Sequence, residues 1–321
     1  MKTALILGIS GNFGSHMAQT LARRGYAIRT LLRQPTRLPE RFQGAQVFQG
    51  EVANLEQLRC AAEGAQIIVY GVNPANYRWD GVALPLLENA ATVAEENQLT
   101  LLFPGNVYVF DPKDGPEFSE TAVMKPKTSK GQIRLAMERR LQQAGDNGAQ
   151  VIVMRMGDFI SNDTRSSWLG HLLKPTKTGY QVIAAGRTDL THTWAYLPDA
   201  AAACADILEM RQHLPTHNVF HFRGHRFSFD DLAQTVEQLS GVRVKRNSFP
   251  WLVLRLLAPF NTAFKGLVEM RYLWQQEVNL AEDALQRALG GQVPHTPLAE
   301  ALVQTGLTCP VESPGYRAMA Q

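Results

Sequence analysis

The chain has 321 residues, enough for one large or two modest domains, and 45% of them are hydrophobic against 19% charged. The formal net charge of +3 is too small to indicate a nucleic-acid-binding protein. Three scattered cysteines without a C-x-x-C pair predict neither a disulfide framework nor a metal site. The first residues do not resemble a signal sequence, and no apolar run reaches about 20 residues. We therefore expect a cytoplasmic protein that does not bind membranes.

The first strand and the turn after it carry the clearest functional signal. Residues 3–8 form the short apolar run typical of a strand buried on both faces, and residues 15–24 have helical spacing. Glycines between them let the backbone turn tightly and approach a pyrophosphate, while the helix start offers N–H groups and its positive dipole end. We predict a dinucleotide-binding turn formed by Gly8, Ser10, Gly11, Asn12, Phe13 and Gly14.

Strands and helices then alternate along the chain. Strands are predicted at residues 26–32, 45–49, 66–70, 99–103 and 148–156, and helices at 55–63 and 82–97. This alternation predicts an α/β fold with a parallel, doubly wound sheet. Right-handed crossovers place the loops after the first, second, fourth and fifth strands at one edge, so we expect them to form a single crevice.

Basic residues at the end of the second strand predict the preferred cofactor. Arg33 lies nineteen residues after Gly14, where an NAD-binding fold has an acidic residue for the ribose 2′-hydroxyl, and Arg37 follows it. An arginine fork suits a 2′-phosphate and accepts no hydrogen bond from a free hydroxyl. The pattern favours NADP over NAD, with solvated loop charges as the alternative interpretation.

The spacing G-x-x-G-x-x-G at Gly8, Gly11 and Gly14 resembles that of extended and atypical short-chain dehydrogenase/reductases. The resemblance covers nearly the whole chain. It implies a Rossmann-type domain at 1–160, completed by 195–223, and a smaller, mostly helical substrate lobe at 161–194 and 224–321. It also implies an NAD(P)-dependent oxidoreductase of the epimerase/dehydratase type, acting on a small or nucleotide-linked carbonyl or alcohol compound. A homodimer is compatible with it.

The same resemblance assigns further residues to the cofactor. Glu51, beside Val52, stands where the family reaches the adenine amino group. Gly71 and Asn73 follow the fourth strand, where the family backbone runs beside the cofactor ribose, and Pro104 follows the fifth. An ordinary Asn-Pro turn is an equal interpretation of Asn73.

The catalytic pattern of the family is incomplete in this chain. Its Tyr-x-x-x-Lys pair lies one helical turn apart, so that the lysine lowers the tyrosine pKa. Here Lys130 stands in the tyrosine place and Arg134 in the lysine place. Asn106 lies in the usual Ser/Thr segment, although Val107 and Tyr108 match the family.

Three interpretations follow from this departure. In the first, the chain is an enzyme whose proton comes from Lys130, desolvated beside Arg134, from Tyr108 or from a water. In the second, Lys130 and Arg134 bind anions, including the cofactor phosphate, and the protein is a non-catalytic NADP-binding sensor like NmrA. A solvated basic helix face is the third interpretation.

The remaining chain gives weaker signals. Residues 160–190 lose regular periodicity, which predicts a substrate loop, and Asp199 is predicted to cap a helix over 200–210. We also predict a helix at 228–239, ended by Gly241, and a brief strand at 242–245. From Phe249 onward large apolar residues at helical spacing fit a cleft lining, a lobe core or a dimer face. For 251–260 we expect a packed helix of a lid or an interface.

Overall fold

A computed structural model describes residues 2–74, 78–161, 163 and 167–309 of the chain. The strands are β1 (Thr3–Leu7), β2 (Ala27–Leu32), β3 (Gln46–Gln49), β4 (Ile67–Tyr70), β5 (Thr100–Asn106), β6 (Glu117–Phe118), β7 (Gln150–Met156), β8 (Asp158–Ile160), β9 (Leu173–Thr176), β10 (Gly179–Ala184), β11 (His192–Tyr196), β12 (His217–Phe222), β13 (His225–Phe227), β14 (Lys245–Ser248) and β15 (Asn279–Leu280). The helices are α1 (Asn12–Arg23), α2 (Leu55–Ala62), α3 (Ala83–Glu96), α4 (Ser129–Asp146), α5 (Trp168–Leu172), α6 (Leu197–Glu209), α7 (Phe229–Ser240), α8 (Trp251–Leu257), α9 (Thr262–Glu269), α10 (Asp283–Ala288) and α11 (Leu298–Gln304).

A seven-stranded parallel sheet forms the centre of the molecule, in the order β12-β7-β5-β4-β1-β2-β3. The strand order reverses at β1, as in a Rossmann fold, so the predicted doubly wound α/β class is confirmed. Strands β1 and β4 are buried along their whole length, which explains their uninterrupted apolar sequences. The register pairs Leu7 with Tyr70 and Asn106 with Met156, so the carboxyl ends of these strands meet at one edge.

Helices cover both faces of this sheet. Helices α1 and α6 form a continuous core with one face, and α2, α3 and α4 do so with the other. In each case the apolar side chains recur at helical spacing, as Met17 and Leu21 do in α1. The two layers leave the carboxyl edge of the strands uncovered by these helices, which is where ligands bind in open α/β sheets.

A third apolar cluster organises the chain beyond β8. It joins α5, the β14-β10-β9 sheet, α7 and α11 around Trp194, whose ring stacks on Phe227 with centroids 5.1 Å apart. The expectation of an irregular loop over 160–190 was wrong for most of its length, because α5 and the β9–β10 hairpin lie there. Their apolar residues pack against partners far along the chain, such as Trp274, so local periodicity alone did not reveal them.

Two local predictions in this region were also wrong. Asp199 lies inside the first turn of α6 instead of capping it, and its carboxylate accepts a hydrogen bond from the Thr296 hydroxyl at 2.9 Å. The strand expected at 242–245 lies at Lys245–Ser248, where it pairs with β10. The helix predicted at 228–239 is confirmed as α7, with a capping box at Ser228 and a left-handed Gly241 at its end.

A buried ion pair connects α4 to the end of the sheet. The Arg155 guanidinium of β7 donates to the Glu138 carboxylate at 2.6 Å, and both side chains are almost fully buried. Arg155 Nη1 also lies 3.2 Å from His221 Nε2 on β12. Burial and the Arg155 cation lower the pKa of His221 to about 3, so its neutral ring can accept this hydrogen bond. The network satisfies the polar groups of three adjacent elements.

We expect Glu138→Gln to destabilise the protein by about 3–5 kcal/mol, because it leaves the Arg155 charge buried and uncompensated. Denaturant unfolding measures this change in the free energy of unfolding. The matched control is Glu96→Gln, which breaks the exposed pair with Arg59 and should cost only about 0–1 kcal/mol. Equal losses in the two variants would contradict the structural importance of the buried pair.

Candidate functional site

Three glycines meet at the carboxyl edge, where the turn after β1, the start of α1 and the end of β4 come together. Gly8 has a left-handed φ of +80°, and a Cβ on it would lie 2.5 Å from the Gly71 carbonyl oxygen. A Cβ on Gly71 would lie 2.8 Å from the Leu7 oxygen, and one on Gly14 would overlap the Gly8 oxygen. The contact requires three residues without side chains and leaves the backbone open to a pyrophosphate.

The start of α1 lies directly beside this contact. Gly11 is its N-cap residue and provides no side-chain cap hydrogen bond, and the first turn holds no acidic residue. Ser10 is exposed, whereas Asn12 and Phe13 are buried. The helix start therefore retains N–H groups and a dipole suited to an anion. This arrangement fits the pyrophosphate of a dinucleotide.

Asn12 ties the glycine turn to the segment after β8. Its Nδ2 donates to the Asp163 carbonyl oxygen at 3.0 Å, and its Oδ1 accepts from the Ser161 hydroxyl at 2.7 Å. The side chain predicted to touch the cofactor is thus engaged in protein contacts. It fixes one wall of the crevice over the helix start.

The predicted adenine end contains an open cavity of about 500 Å³. It is lined by Arg33, Gln49, Gly50, Glu51, Asn54 and Gln57. The exposed Arg33 and Glu51 therefore line one cavity, with a cation available for a phosphate and a carboxylate available for an amino group. Val52 is half-buried, and its carbonyl accepts from Asn89 Nδ2 at 2.9 Å. The Arg37 side chain lies outside the described part of the chain.

The residues predicted after β4 and in β5 lie at the same edge. The Gly71 amide donates to the Leu7 oxygen at 2.7 Å, which continues the pairing of β4 with β1. Asn73 follows as an exposed residue, and Pro104 is half-buried in β5. The Asn106 side chain accepts from the Tyr108 amide at 3.1 Å and so caps the turn after β5.

Lys130 is held by the C-terminal part of the chain. Its ammonium group forms an ion pair with the Glu269 carboxylate of α9, and its backbone N–H donates to the same carboxylate at 3.1 Å. The Ser129 hydroxyl donates to it at 2.7 Å. Burial alone would raise the pKa of Glu269, but these hydrogen bonds outweigh burial and hold that pKa below its ordinary value. No local pattern around Lys130 indicates this partner, 139 residues away.

Arg134 lies among aromatic rings instead of beside a carboxylate. Its guanidinium carbon lies 4.7 Å from the Trp79 ring centroid and 5.2 Å from that of Phe103, and Nη1 donates to the Pro104 oxygen at 3.1 Å. Burial lowers the pKa of this guanidinium. Tyr108 stacks on Trp79 with centroids 6.1 Å apart. Cation–π contacts thus hold the group that replaces the family lysine.

Asp158 is a further candidate site residue, which the sequence analysis did not select. It lies two residues beyond Met156, the partner of Asn106, and pairs with Trp194 of β11. The residue as a whole is half-buried, and burial of its carboxylate raises the pKa of that group to about 7. Within the described residues it has no ion-pair partner. One signal in the sequence could have identified this residue. It is an acidic residue directly after a buried strand, at the edge where the other loops converge.

A comparison with known protein families identifies a match over most of the chain. A family model described as the RmlD substrate binding domain matches residues 1–250. Curated proteins gave no significant match.

Several solved structures share the fold over nearly their whole length. UDP-glucose 4-epimerase from Brucella ovis, in complex with NAD, has a TM-score of 0.72 and 14% identity over 95% of this chain and 97% of that chain. A hypothetical dTDP-4-dehydrorhamnose reductase from Sulfolobus tokodaii has a TM-score of 0.68 and 15% identity over 94% and 99%. Monomeric L-threonine 3-dehydrogenase from a metagenome has a TM-score of 0.74 and 13% identity over 99% and 100%. The predicted resemblance to extended short-chain dehydrogenase/reductases is confirmed.

We expect Gly14→Ala to weaken dinucleotide binding strongly, because the added Cβ overlaps the Gly8 oxygen and must move the turn away from α1. Within a helix, alanine is more favourable than glycine by about 1 kcal/mol. A loss of dinucleotide affinity in Gly14→Ala would therefore identify the steric contact as its cause. Calorimetric titration with NADPH measures the effect. Gly44→Ala is the control, since its Cβ meets no atom within 4 Å. Unchanged affinity in Gly14→Ala would contradict the close-contact interpretation.

We expect Asp158→Asn to stabilise the protein at high pH. A carboxyl whose pKa is raised on folding costs stability as pH rises from its unfolded pKa towards about 7, and an amide has no such cost. The increase in the free energy of unfolding should grow from near zero at about pH 4 to about 1–3 kcal/mol at about pH 8, after allowance for partial exposure. Thermal unfolding across pH measures it. Asp80→Asn, the same change at an exposed position, is the control.

Proposed function

Because the chain belongs to the RmlD substrate binding domain family, we propose that it is an NAD(P)-dependent oxidoreductase of the epimerase/dehydratase type. Its substrate is a small or nucleotide-linked carbonyl or alcohol compound, in keeping with the sugar-nucleotide epimerase and the reductase named above. The observation that carries the proposal is the side-chain-free contact of Gly8, Gly14 and Gly71 beside the uncapped start of α1.

This contact supports the following proposed cofactor position. The α1 start binds the pyrophosphate, Glu51 accepts from the adenine amino group, and Arg33 pairs with a 2′-phosphate, which favours NADP over NAD. Gly71, Asn73 and Pro104 line the side of the ribose and nicotinamide. When bound, the nicotinamide supplies or accepts the hydride, and the protein orients it.

Asp158 is the proton donor in this proposal. A carboxyl with a pKa near 7 is protonated often enough at neutral pH to act as an acid, and its conjugate base can take the proton back. Lys130 is ion-paired and Arg134 lies between rings, so both act as positioning residues. Asn106 and Tyr108 fix the turn after β5 at the crevice.

The second candidate is a non-catalytic NADP-binding sensor of the NmrA-like kind. One observation favours it: the groups in the family's Tyr and Lys places, Lys130 and Arg134, are both engaged in protein contacts. In this alternative, occupation of the cofactor site acts on the Lys130–Glu269 pair and thereby on the C-terminal lobe. Binding without turnover distinguishes this function from the first.

The binding test is a titration of the purified protein with NADPH, NADH, NADP and NAD. We expect NADPH to bind best and Arg33→Asp to weaken it about 10- to 100-fold, since a hydrogen bond to a charged group contributes about 1.5–3 kcal/mol. NADH affinity should change little. Arg139→Asp, the same charge change at an exposed position of α4, is the control. Failure of every dinucleotide to bind would overturn both candidate functions.

The turnover test follows NADPH oxidation with nucleotide-linked keto sugars. An enzyme using Asp158 as its acid should lose about 10²- to 10⁴-fold in kcat in Asp158→Asn, with NADPH affinity retained. Absence of turnover in the wild type, together with very different affinities for NADPH and NADP, would support the sensor.

A further inference from the structure

Helix α8 and the turn after it expose a concentrated apolar surface. Leu252, Val253, Leu256, Leu257 and Phe260 are exposed to 71, 53, 67, 44 and 87% of their accessible areas. Only two other large hydrophobic side chains of the described residues, Val82 and Val123, are comparably exposed. We call the five residues the α8 patch. Scattered single apolar residues are normal on a surface, but five within nine positions indicate a binding surface.

The packing of α8 explains why these side chains face outward. Trp251 and Leu254, three positions apart, are the buried residues of the helix. The Trp251 indole donates to the Ala185 oxygen at 2.6 Å, and the Arg271 guanidinium lies 5.6 Å from its ring centroid. The helix expected to be packed over 251–260 is therefore attached along one side only. No polar face lies opposite that side, as it would in an ordinary surface helix.

The charges in and around the patch select its partner. Residues 249–268 contain no acidic residue, and their charged residues are Arg255 and Lys265. Both are exposed, and neither forms an ion pair within the described residues. In a two-fold contact between copies, the two Arg255 charges would lie near each other without a counterion. At an anionic lipid surface the aliphatic stem of Arg255 can lie beside the apolar residues while its head meets the phosphates.

We propose that the α8 patch docks the protein on the surface of an anionic lipid bilayer. Phe260, at the tip after Pro259, enters the headgroup region, and Leu252, Leu256 and Leu257 follow it. The contact is peripheral: none of the helices that the structure describes is both long and apolar enough to cross a bilayer. The proposal replaces the expectation of no membrane partner and does not depend on the activity of the crevice.

Docking would involve the part of the chain that contacts Lys130 through Glu269. The chain runs from α8 through α9 to Glu269, which pairs with Lys130 of α4. Along the chain, the turn after α8 and helix α9 lie between the α8 patch and Glu269.

The test is flotation of the full chain with vesicles of phosphatidylcholine alone or mixed with phosphatidylglycerol. We expect binding to the anionic vesicles, weakened by salt, and little binding to the neutral ones. Phe260→Glu and Leu256→Glu should each reduce the bound fraction at least about tenfold. Val123→Glu is the matched control, because it makes the same charge change at an equally exposed apolar residue outside the patch.

Three outcomes would overturn the proposal. One is the absence of binding to anionic vesicles. Another is that Val123→Glu loses as much vesicle binding as the two patch variants, which would indicate non-specific attraction by the net charge. The third is a lipid-independent dimer in sedimentation equilibrium that Phe260→Glu dissociates, because the patch would then be a contact between copies. Circular dichroism and NADPH titration of each variant verify that the fold is retained.

Discussion

The close approach of three backbone segments at Gly8, Gly14 and Gly71 is the constraint on which the candidate site depends. It brings the end of β1, the start of α1 and the end of β4 within van der Waals distance, with no volume for a side chain at any of them. The helix dipole at the start of α1 then lies at the switch point of the sheet order. The crevice is thus a consequence of backbone packing, and side chains only line it.

Charge is distributed unequally around this crevice. On the β7 and α4 side, Arg155 and Lys130 are buried but compensated by Glu138 and Glu269. Asp158, by contrast, is held in a poorly solvated position that shifts its pKa towards neutrality. Buried charges with a counterion are compatible with a stable fold. A poorly solvated carboxyl that costs stability is more typical of a functional site.

The C-terminal lobe is connected to the sheet by long-range polar contacts. Glu269 closes on α4, and the His221 ring on β12 lies 3.0 Å from the Ala281 oxygen and 3.2 Å from the Phe118 oxygen. β15 pairs with β6 close to the same point. These contacts fix the lobe against the edge that holds the candidate site, while α8 on its outer side remains free to meet a lipid surface.

The sequence by itself determined the doubly wound sheet and the glycine turn, and it predicted the cofactor residues around that turn. These features depend on local periodicity and on spacing within one βαβ unit, which short-range interactions specify. The tertiary structure alone decided the partners of Lys130 and Arg134, the environment of Asp158 and the exposure of α8. A side chain's charge state and burial depend on residues more than a hundred positions away, such as Glu269 for Lys130, and no local pattern encodes that proximity.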